Sequence, residues 1–224
     1  MEKSAIIVAG GSGIRMGSTV PKQFLLLKDK PILMHTLQAF FDYDPQLRIL
    51  LVLPANEQER WQNLCRQHQF TIPHQVVNGG ADRSASVRNG LAALPQSDGL
   101  VAIHDGVRPL VSQQIIAHSF EAAALMGSAI TSVALKDSIR QIDGEESWAV
   151  DRATYRLVQT PQTFRLSLIR EAYSKAGQES RTDDASVFEA AGGKVHLIEG
   201  DYVNLKITTK EDLKVAEALM ETSA

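Results

Sequence analysis

The sequence lacks the features of a secreted, disulfide-stabilised or membrane-spanning protein. Its 224 residues include one cysteine, Cys65, which excludes an intrachain disulfide and a cysteine-based zinc site and favours a reducing compartment. Cys65 lies in a helical pattern and is interpreted as a packed side chain. No apolar run approaches the roughly 18 residues of a membrane span, and the run near residue 5 is too short for a signal peptide. We therefore expect a cytoplasmic protein with no membrane partner.

The chain also lacks an excess of positive charge. Its 23 lysine and arginine residues are balanced by 26 aspartate and glutamate residues, which gives a formal net charge of −3. A chain of this kind has no global basic field, so nucleic acid is a poor candidate for the partner. Any anion that the protein binds must be held by basic residues that cluster locally.

Short β-branched segments alternate with amphipathic segments, which indicates an α/β fold with a largely parallel sheet. Strands are predicted at residues 5–9, 48–53, 74–78, 100–104, 129–135, 155–159 and 194–199. Helices are predicted between them, including residues 31–41, which begin at a proline, and residues 208–220, where Thr208 and Glu211 have capping-box spacing. Since no repeat, low-complexity tract or linker interrupts this pattern, residues 1–224 are predicted to form one domain.

The segment at residues 135–152 breaks the alternation. Two extended runs flank Asp143-Gly144, a dipeptide that strongly favours a β-hairpin. An isolated hairpin is marginally stable in water, so its apolar side chains need another surface. They are Ile139, Ile142, Trp148 and Val150. The rest of the domain or a second copy of the chain could supply that surface, and we favour the second copy.

A glycine-rich segment, AGGSGIRMGSTVPKQ at residues 9–23, follows the first predicted strand. Glycines allow backbone N–H groups to approach a phosphate chain closely, because they carry no Cβ. Arg15 and Lys22 can fold onto one polyphosphate and oppose the charge that develops at phosphorus and on a departing pyrophosphate. The alternative is a surface turn with solvated cations. Phosphate binding is the interpretation we favour.

Several later residues could contribute to the same site. Asp105 ends the strand in LVAIHDGVRP, at the sheet edge where ligands bind, and its carboxylate would suit Mg²⁺ held together with substrate phosphates. A turn-forming aspartate is the alternative. Arg108 is placed to take an anionic group of a second substrate. His104 is interpreted as a packed strand residue rather than a catalytic one.

Three further segments offer polar groups that also have ordinary structural explanations. Arg83 and Ser86 lie near the start of a helix after a glycine turn, where a capping serine is the alternative. Thr182 precedes a helix in RTDDAS and is either its cap or a phosphate ligand. Thr160 and Lys206 follow late strands. None of these segments is specific by itself.

Two other classes of protein share parts of this pattern. A nicotinamide-dependent dehydrogenase would need the fingerprint G-x-G-x-x-G, but Met16 stands at the third glycine position. It would also need an acidic residue after the second strand, where the chain has LPANEQE. A non-catalytic nucleotide sensor does not need Arg15, Lys22 and Asp105 together. Both alternatives are disfavoured.

Eight motifs in order resemble the 2-C-methyl-D-erythritol 4-phosphate cytidylyltransferases of the non-mevalonate isoprenoid pathway. They are AGGSGIRMG…PKQ, GGADRSASV, HDGVRP, KDSI, VDR, TPQTF, TDDAS and NLKIT, and they run nearly the whole length of the chain. The resemblance implies a Rossmann-like nucleotidyltransferase with a protruding β-arm at about residues 136–152 that forms a homodimer. It also implies transfer of CMP from CTP to the polyol phosphate, with release of pyrophosphate.

The resemblance implies roles for individual residues as well. The CTP site is implied at Ala9, Gly10, Gly11, Gly13, Gly80, Arg83, Ser86 and Asp105. Asp105 is also implied as the ligand of Mg²⁺ or another divalent cation, and Arg15 and Lys22 as the catalytic cations. The acceptor site is implied at Arg108, Thr160, Thr182 and Lys206, joined by Ser138 and Arg152 from the partner subunit's arm.

The chain departs from the family's pattern in three motifs. Val8-Ala9-Gly10-Gly11 replaces P-A-A-G, His104 to Pro109 reads HDGVRP instead of HDAARP, and Ser138 replaces a threonine. Each change keeps the hydroxyl, charge or backbone contact concerned. The related ribitol-5-phosphate cytidylyltransferases share the glycine loop, PKQ and TPQTF, and they are the alternative for the acceptor. The VDR and TDDAS motifs favour methylerythritol phosphate.

Overall fold

The computed structural model describes residues 1–11, 20–96, 98–177 and 181–222. Its main sheet has seven strands: β1 (Glu2–Val8), β4 (Arg48–Leu53), β5 (Gln75–Asn78), β6 (Gly99–Asp105), β7 (Ser128–Ala134), β10 (Arg156–Arg165) and β11 (Leu197–Glu199). Their order across the sheet is β11-β7-β10-β6-β1-β4-β5. β10 is antiparallel to both of its neighbours, and the other pairs are parallel. The predicted α/β class with a mostly parallel sheet is confirmed.

Helices cover both faces of this sheet. They are α1 (Ile32–Tyr43), α2 (Gln58–Gln67), α3 (Arg83–Ala93), α4 (Gln113–Met126), α5 (Leu166–Lys175), α6 (Asp184–Ala190) and α7 (Lys210–Thr222). One apolar cluster lies between the sheet and α1, α2 and α4, and a second lies between the sheet and α3, α5 and α6. Along β1, Ala5 and Ile7 belong to the first cluster and Ile6 to the second, as expected for a strand with period two.

A third apolar cluster joins α7 to the first part of the chain. Ala216 of α7 is buried with Leu27 and Ile32. Leu27 lies in a short hairpin of β2 (Leu26–Leu27) and β3 (Lys30–Pro31) that leads into α1. Cys65 on α2 packs against the first cluster, as predicted. None of the helices in the described ranges is long and apolar enough to span a bilayer.

Two predicted details are wrong. β10 continues to Arg165, so Thr160 lies inside this strand rather than after it. Pro161 has no N–H to donate, and the pairing register shifts around it before pairing resumes at Gln162.

The capping box of α7 lies one residue later than the predicted pair Thr208 and Glu211. The Asp212 carboxylate accepts from the Thr209 N–H at 2.8 Å, and the Asp212 N–H donates to Thr209 Oγ1 at 3.2 Å.

The hairpin predicted around Asp143-Gly144 is present. It consists of β8 (Ile139–Asp143) and β9 (Glu146–Val150), which pair with each other and not with the main sheet. Gly144, at the first position of the turn, has a φ of 58°, which glycine adopts at little cost. Ile142 is 74% exposed and Trp148 is 42% exposed, and the strand register places them on opposite faces of the hairpin, so the described part of one chain leaves both side chains largely uncovered.

Candidate active site

A cavity of about 240 Å³ lies at the carboxyl ends of β1 and β6. Among the residues that line it are eight predicted for the nucleotide site: Ala9, Gly10, Gly11, Lys22, Gly80, Arg83, Ser86 and Asp105. Lys22 begins a short 3₁₀ turn, and its Cε lies close to Gly11, within 3.4 Å of where a Cβ would stand. The structure therefore brings Lys22 to the glycines, as expected. Gly13 and Arg15 lie outside the described residues.

Gly80 and Ser86 close the turn that leads into α3. The Gly80 N–H donates to Ser86 Oγ at 3.0 Å, and the Ser86 hydroxyl donates to the Asp82 carbonyl at 2.8 Å. A Cβ on Gly80 would lie 2.4 Å from the Ala85 Cβ, so a larger residue would not fit without movement. Asp82, not a serine, caps α3, because its carboxylate accepts from the Ala85 N–H at 2.7 Å.

The Asp105 carboxylate is surrounded by cations. Oδ1 lies 3.5 Å from Arg83 Nε, and Oδ2 lies 2.9 Å from Lys206 Nζ and 3.5 Å from Arg108 Nε. Burial alone would raise the pKa of Asp105, but the charges of Arg83, Lys206 and Arg108 lower it well below its ordinary value. The carboxylate is therefore ionised throughout the neutral range. A turn aspartate would not need three cations, so a role in the site is the better interpretation.

A buried hydrogen-bond network supports Asp105 from behind. Thr160 Oγ1 accepts from the Asp105 N–H at 3.1 Å and lies 3.1 Å from His104 Nδ1. His104 Nε2 lies 3.2 Å from the Arg108 carbonyl, which can only accept, so the proton of the neutral ring sits on Nε2 and Thr160 donates to Nδ1. Burial lowers the pKa of His104 to about 4, so the ring is neutral at neutral pH. His104 is a packed residue, as predicted.

A second cavity of about 600 Å³ adjoins the first. Its lining includes the four own-chain residues predicted for the acceptor: Arg108, Thr160, Thr182 and Lys206. Of the residues that the structure describes, three line both cavities, namely Arg83, Asp105 and Lys206. The two cavities therefore meet at the Asp105 carboxylate, which is where a group passing from one ligand to another would be located.

Two predicted acceptor residues lie elsewhere in their own chain. Ser138 and Arg152 are at the base of the hairpin and are absent from the described lining of either cavity. Both are exposed, and the Arg152 guanidinium donates to the Lys136 carbonyl. Thr182 lines the second cavity but does not cap α6, because Asp183 accepts from the Ser186 N–H at 3.0 Å and is the cap.

Sequence reasoning missed three residues that organise the site. Asn204 accepts from Arg108 Nη1 at 2.7 Å through its backbone carbonyl and donates to the Thr160 carbonyl at 2.8 Å. Gln162 accepts from the Ala185 N–H at 2.8 Å and fixes α6 to β10. Asp184 binds Arg83. Each of the three lies inside one of the quoted motifs, NLKIT, TPQTF or TDDAS. Membership of a motif was therefore the signal in the sequence that could have identified these residues.

The glycines after β1, the carboxylate at the end of β6 and the adjoining cationic cavity are arranged as in an α/β nucleotide-binding transferase. The family model described as IspD, 2-C-methyl-D-erythritol 4-phosphate cytidylyltransferase, matches residues 4–222. The chain belongs to this family, and the resemblance stated from its motifs is confirmed.

Named relatives and solved structures agree with this assignment. The 2-C-methyl-D-erythritol 4-phosphate cytidylyltransferase of Bacteroides thetaiotaomicron is 49% identical over 98% of this chain and 100% of its own length. That of Porphyromonas gingivalis is 48% identical over 98% of each chain. The crystal structure of the Thermus thermophilus enzyme matches with a TM-score of 0.81, 35% identity and 98% coverage of each chain. The 4-diphosphocytidyl-2C-methyl-D-erythritol synthase of Anaerococcus prevotii matches with a TM-score of 0.84 and 30% identity, again with 98% coverage of each chain.

Replacing Asp105 by asparagine should destabilise the ligand-free protein. Arg83, Arg108 and Lys206 would lose their shared counter-ion, which we expect to lower the free energy of unfolding by about 3 kcal/mol. Inorganic pyrophosphate should restore much of the loss, because it supplies the missing negative charge. Urea unfolding with and without pyrophosphate measures both effects. Asp143→Asn, at the exposed end of the hairpin, is the matched control; equal unfolding midpoints for Asp105→Asn and the parent would contradict this prediction.

Proposed function

We propose that this chain transfers the cytidylyl group of CTP to 2-C-methyl-D-erythritol 4-phosphate, giving 4-diphosphocytidyl-2-C-methyl-D-erythritol and pyrophosphate. Membership of the family over residues 4–222 supports the reaction and its place in isoprenoid precursor biosynthesis. The structural observation that carries the proposal is the carboxylate of Asp105, at which the two cavities meet. Cytoplasmic location stays a prediction, based on the reducing compartment that a single cysteine favours.

The first cavity is the proposed CTP site. Its glycines allow close approach of the phosphates, and Gly80 and Ser86 form the narrow turn assigned to the cytidine end. Lys22 contributes a point charge beside Gly11. Arg15 is assigned the second catalytic cation and Gly13 a place in the loop, on the motif alone.

The second cavity is the proposed acceptor site. Arg108, Thr160, Thr182 and Lys206 line it and offer two cations and two hydroxyl groups to a polyol phosphate. An oxygen of the acceptor phosphate attacks the α-phosphorus of CTP, a new P–O bond forms, the bond to the β-phosphate breaks, and pyrophosphate leaves with the electron pair. A phosphate monoester has a second pKa of about 6 and is mostly ionised at neutral pH, so no protein base is needed.

Without a base, catalysis depends on position and charge. Lys22 and Arg15 are assigned to oppose the negative charge of the transition state, which is the interaction that accelerates the step. The histidine next to Asp105, His104, is neutral and fully buried, so it is held by packing rather than presented to a substrate.

Asp105 is the proposed ligand of Mg²⁺ or another divalent cation. One ionised carboxylate together with substrate phosphates is a donor set that Mg²⁺ accepts, so the residues fit the ion. In the described part of the chain no group of three or more acidic, histidine or cysteine side chains could hold a metal, so the phosphates and water molecules would supply the remaining ligands. When bound, the cation would neutralise charge on the triphosphate.

The hairpin of β8 and β9 is the proposed dimer contact. Its exposed Ile142 and Trp148 need a partner surface, and a second copy would supply one. In that homodimer, Ser138 and Arg152 at the base of the arm are assigned to the partner's acceptor cavity, which agrees with their absence from the described lining of their own. Dimerisation would then be required for full activity.

The reaction is tested by measuring pyrophosphate release from CTP and Mg²⁺ with each of two acceptors. Methylerythritol 4-phosphate should support turnover, and ribitol 5-phosphate should support at least roughly a hundredfold less, since a site built for one polyol leaves polar groups unpaired with another. Equal or faster turnover of ribitol 5-phosphate would favour the related enzyme. Release of no pyrophosphate with either acceptor, despite CTP binding, would favour a nucleotide sensor.

Lys22→Ala should lower kcat by roughly a hundredfold or more without unfolding the protein, as does loss of a donor that stabilises transition-state charge. Arg15→Ala should behave in the same way. Lys22→Arg should also be impaired, because a planar fork does not replace a compact charge beside Gly11. Lys30→Ala removes an exposed lysine outside the site and is the control for general charge effects. Parental turnover in Lys22→Ala and Arg15→Ala would show that the roles are misassigned.

Trp148→Glu combined with Ile142→Glu should weaken the dimer, because two charges would enter an apolar contact. We expect the dimer dissociation constant to rise at least about tenfold, and activity to fall at concentrations where monomers form. Leu125→Glu changes a leucine that is 83% exposed on α4, outside the hairpin, and should leave the mass unchanged. Sedimentation equilibrium at several concentrations decides the outcome; an unaltered dimer in the double variant would exclude the hairpin as the contact.

A further inference from the structure

A chain of polar contacts continues from Asp105 into the interior. Arg83 binds Asp105 through Nε at 3.5 Å and binds Asp184 Oδ2 through Nη2 at 2.7 Å. Asp184 is fully buried, and its other oxygen, Oδ1, accepts from the Tyr173 hydroxyl at 2.7 Å. Tyr173 is 3% exposed and packs in the apolar cluster under α5 and α6. The Arg83 guanidinium is therefore held between two carboxylates, one at the site and one in the core.

This arrangement is costly for a contact that only stabilises the fold. Moving both members of an ion pair out of water carries a desolvation penalty, and a well-packed apolar pair often stabilises a protein equally well. Asp184 is fully buried, and α6 also carries the buried Ala185 and Val187. Burial and the adjacent carboxylate raise the pKa of Tyr173, so its hydroxyl remains protonated and donates to Asp184. The buried contact between Arg83 and Asp184 therefore needs an explanation other than stability.

We infer that Asp184 and Tyr173 are positioning residues that hold Arg83 and thereby leave the Asp105 carboxylate available to the Mg²⁺ that accompanies CTP. The inference rests on the proposed function, since it takes Asp105 as the ligand of that cation. Neither Asp184 nor Tyr173 lines the CTP cavity, so both act through Arg83.

The direction of the effect follows from charge. With Asp184 ionised, the positive charge of Arg83 is shared between two carboxylates. Without the Asp184 charge, the guanidinium would pair with Asp105 alone and compete with a metal cation for it. The same unshared charge would attract the phosphates of metal-free CTP. Loss of Asp184 should therefore weaken binding of CTP with Mg²⁺ and leave metal-free binding unchanged or stronger.

The chain of contacts also joins the two substrate cavities. Asp184 begins α6, next to Asp183 and Thr182 of the acceptor cavity, whereas Arg83 begins α3 at the CTP cavity. The two segments are 101 residues apart in sequence and are linked directly by this ion pair. A displacement of α6 would move Arg83, one of the three cations that lower the pKa of Asp105.

The test is calorimetric titration of the full-length protein with CTP, once with saturating Mg²⁺ and once with a chelator. Asp184→Asn should raise the Kd for CTP with Mg²⁺ by roughly tenfold and should leave the Kd without Mg²⁺ within about twofold of the parent or lower. Tyr173→Phe should raise the Kd with Mg²⁺ by about threefold, the effect of one hydrogen bond. Turnover should fall in the same order.

Two controls separate positioning from general damage. Tyr43→Phe removes a tyrosine hydroxyl that accepts from Lys3 Nζ at 2.6 Å, and it should change neither Kd. In the double variant Asp184→Asn with Tyr173→Phe, the tyrosine change should add nothing, because it acts through the aspartate. If Asp184→Asn does not fold, the Kd values of Tyr173→Phe with and without Mg²⁺ test the inference.

The possible outcomes are distinguishable. A selective loss of CTP binding with Mg²⁺ supports the inference. Equal losses with and without Mg²⁺, or no loss in either variant, would overturn it and assign the two residues to the fold alone. A parent protein that does not bind CTP under either condition would refute the proposed function itself, and the inference with it.

Discussion

The site depends on one carboxylate that keeps three cations together. Without Asp105, the side chains of Arg83, Arg108 and Lys206 would be like charges brought close together in a partly buried place. Two unit charges 4 Å apart attract each other with about 4 kcal/mol at an effective dielectric constant near 20. The attraction of this single anion for its cations is therefore several times that of an ordinary surface ion pair. Because β6 is buried along its whole length, the end that carries Asp105 has a fixed position.

The fold supplies each cation from a different segment. Arg83 begins α3, Arg108 follows the turn after β6, and Lys206 lies in the segment between β11 and α7. These segments meet because the carboxyl ends of parallel strands lie along one edge of a sheet. β10 is the exception in direction, and it contributes from its middle: Thr160 lies where Pro161 interrupts the ladder, and its hydroxyl accepts from the Asp105 N–H.

Local patterns in the sequence were sufficient to predict much of this fold. Alternation of β-branched and amphipathic segments predicted the strands, and Asp143-Gly144 predicted the hairpin, because both signals are contained within a few residues. The pattern was less decisive where two adjacent residues could both cap a helix. Thr208 and Thr209 are both suitable caps, and the Asp212 N–H selects the second because it donates to Thr209 Oγ1. The strand predicted at residues 155–159 ends two residues before Pro161, although pairing with β7 resumes at Gln162.

Two of the three residues that sequence reasoning missed were missed for the same physical reason. Asp184 and Asn204 act on partners 101 and 96 positions away, and no periodicity or spacing records such a contact. Asp184 was visible in the TDDAS motif as one of two aspartates at a helix start, a position where capping explains an acidic residue fully. Only the three-dimensional arrangement separates the two: Asp183 caps the helix, whereas Asp184 points into the core toward Tyr173.

Exposure distinguishes the three cations around Asp105 and indicates how the site changes when substrates arrive. The Lys206 side chain is 41% exposed, whereas those of Arg83 and Arg108 are 22% and 10% exposed. Ion pairs that reach solvent contribute little, about 0 to 1 kcal/mol, so the lysine can leave Asp105 for a phosphate at small cost. The two arginines have second anchors, at Asp184 and at the Asn204 carbonyl, and these hold them in place. The site thus combines one exchangeable charge with two fixed ones, so most of the reorganisation that phosphate binding would require is completed when the protein folds.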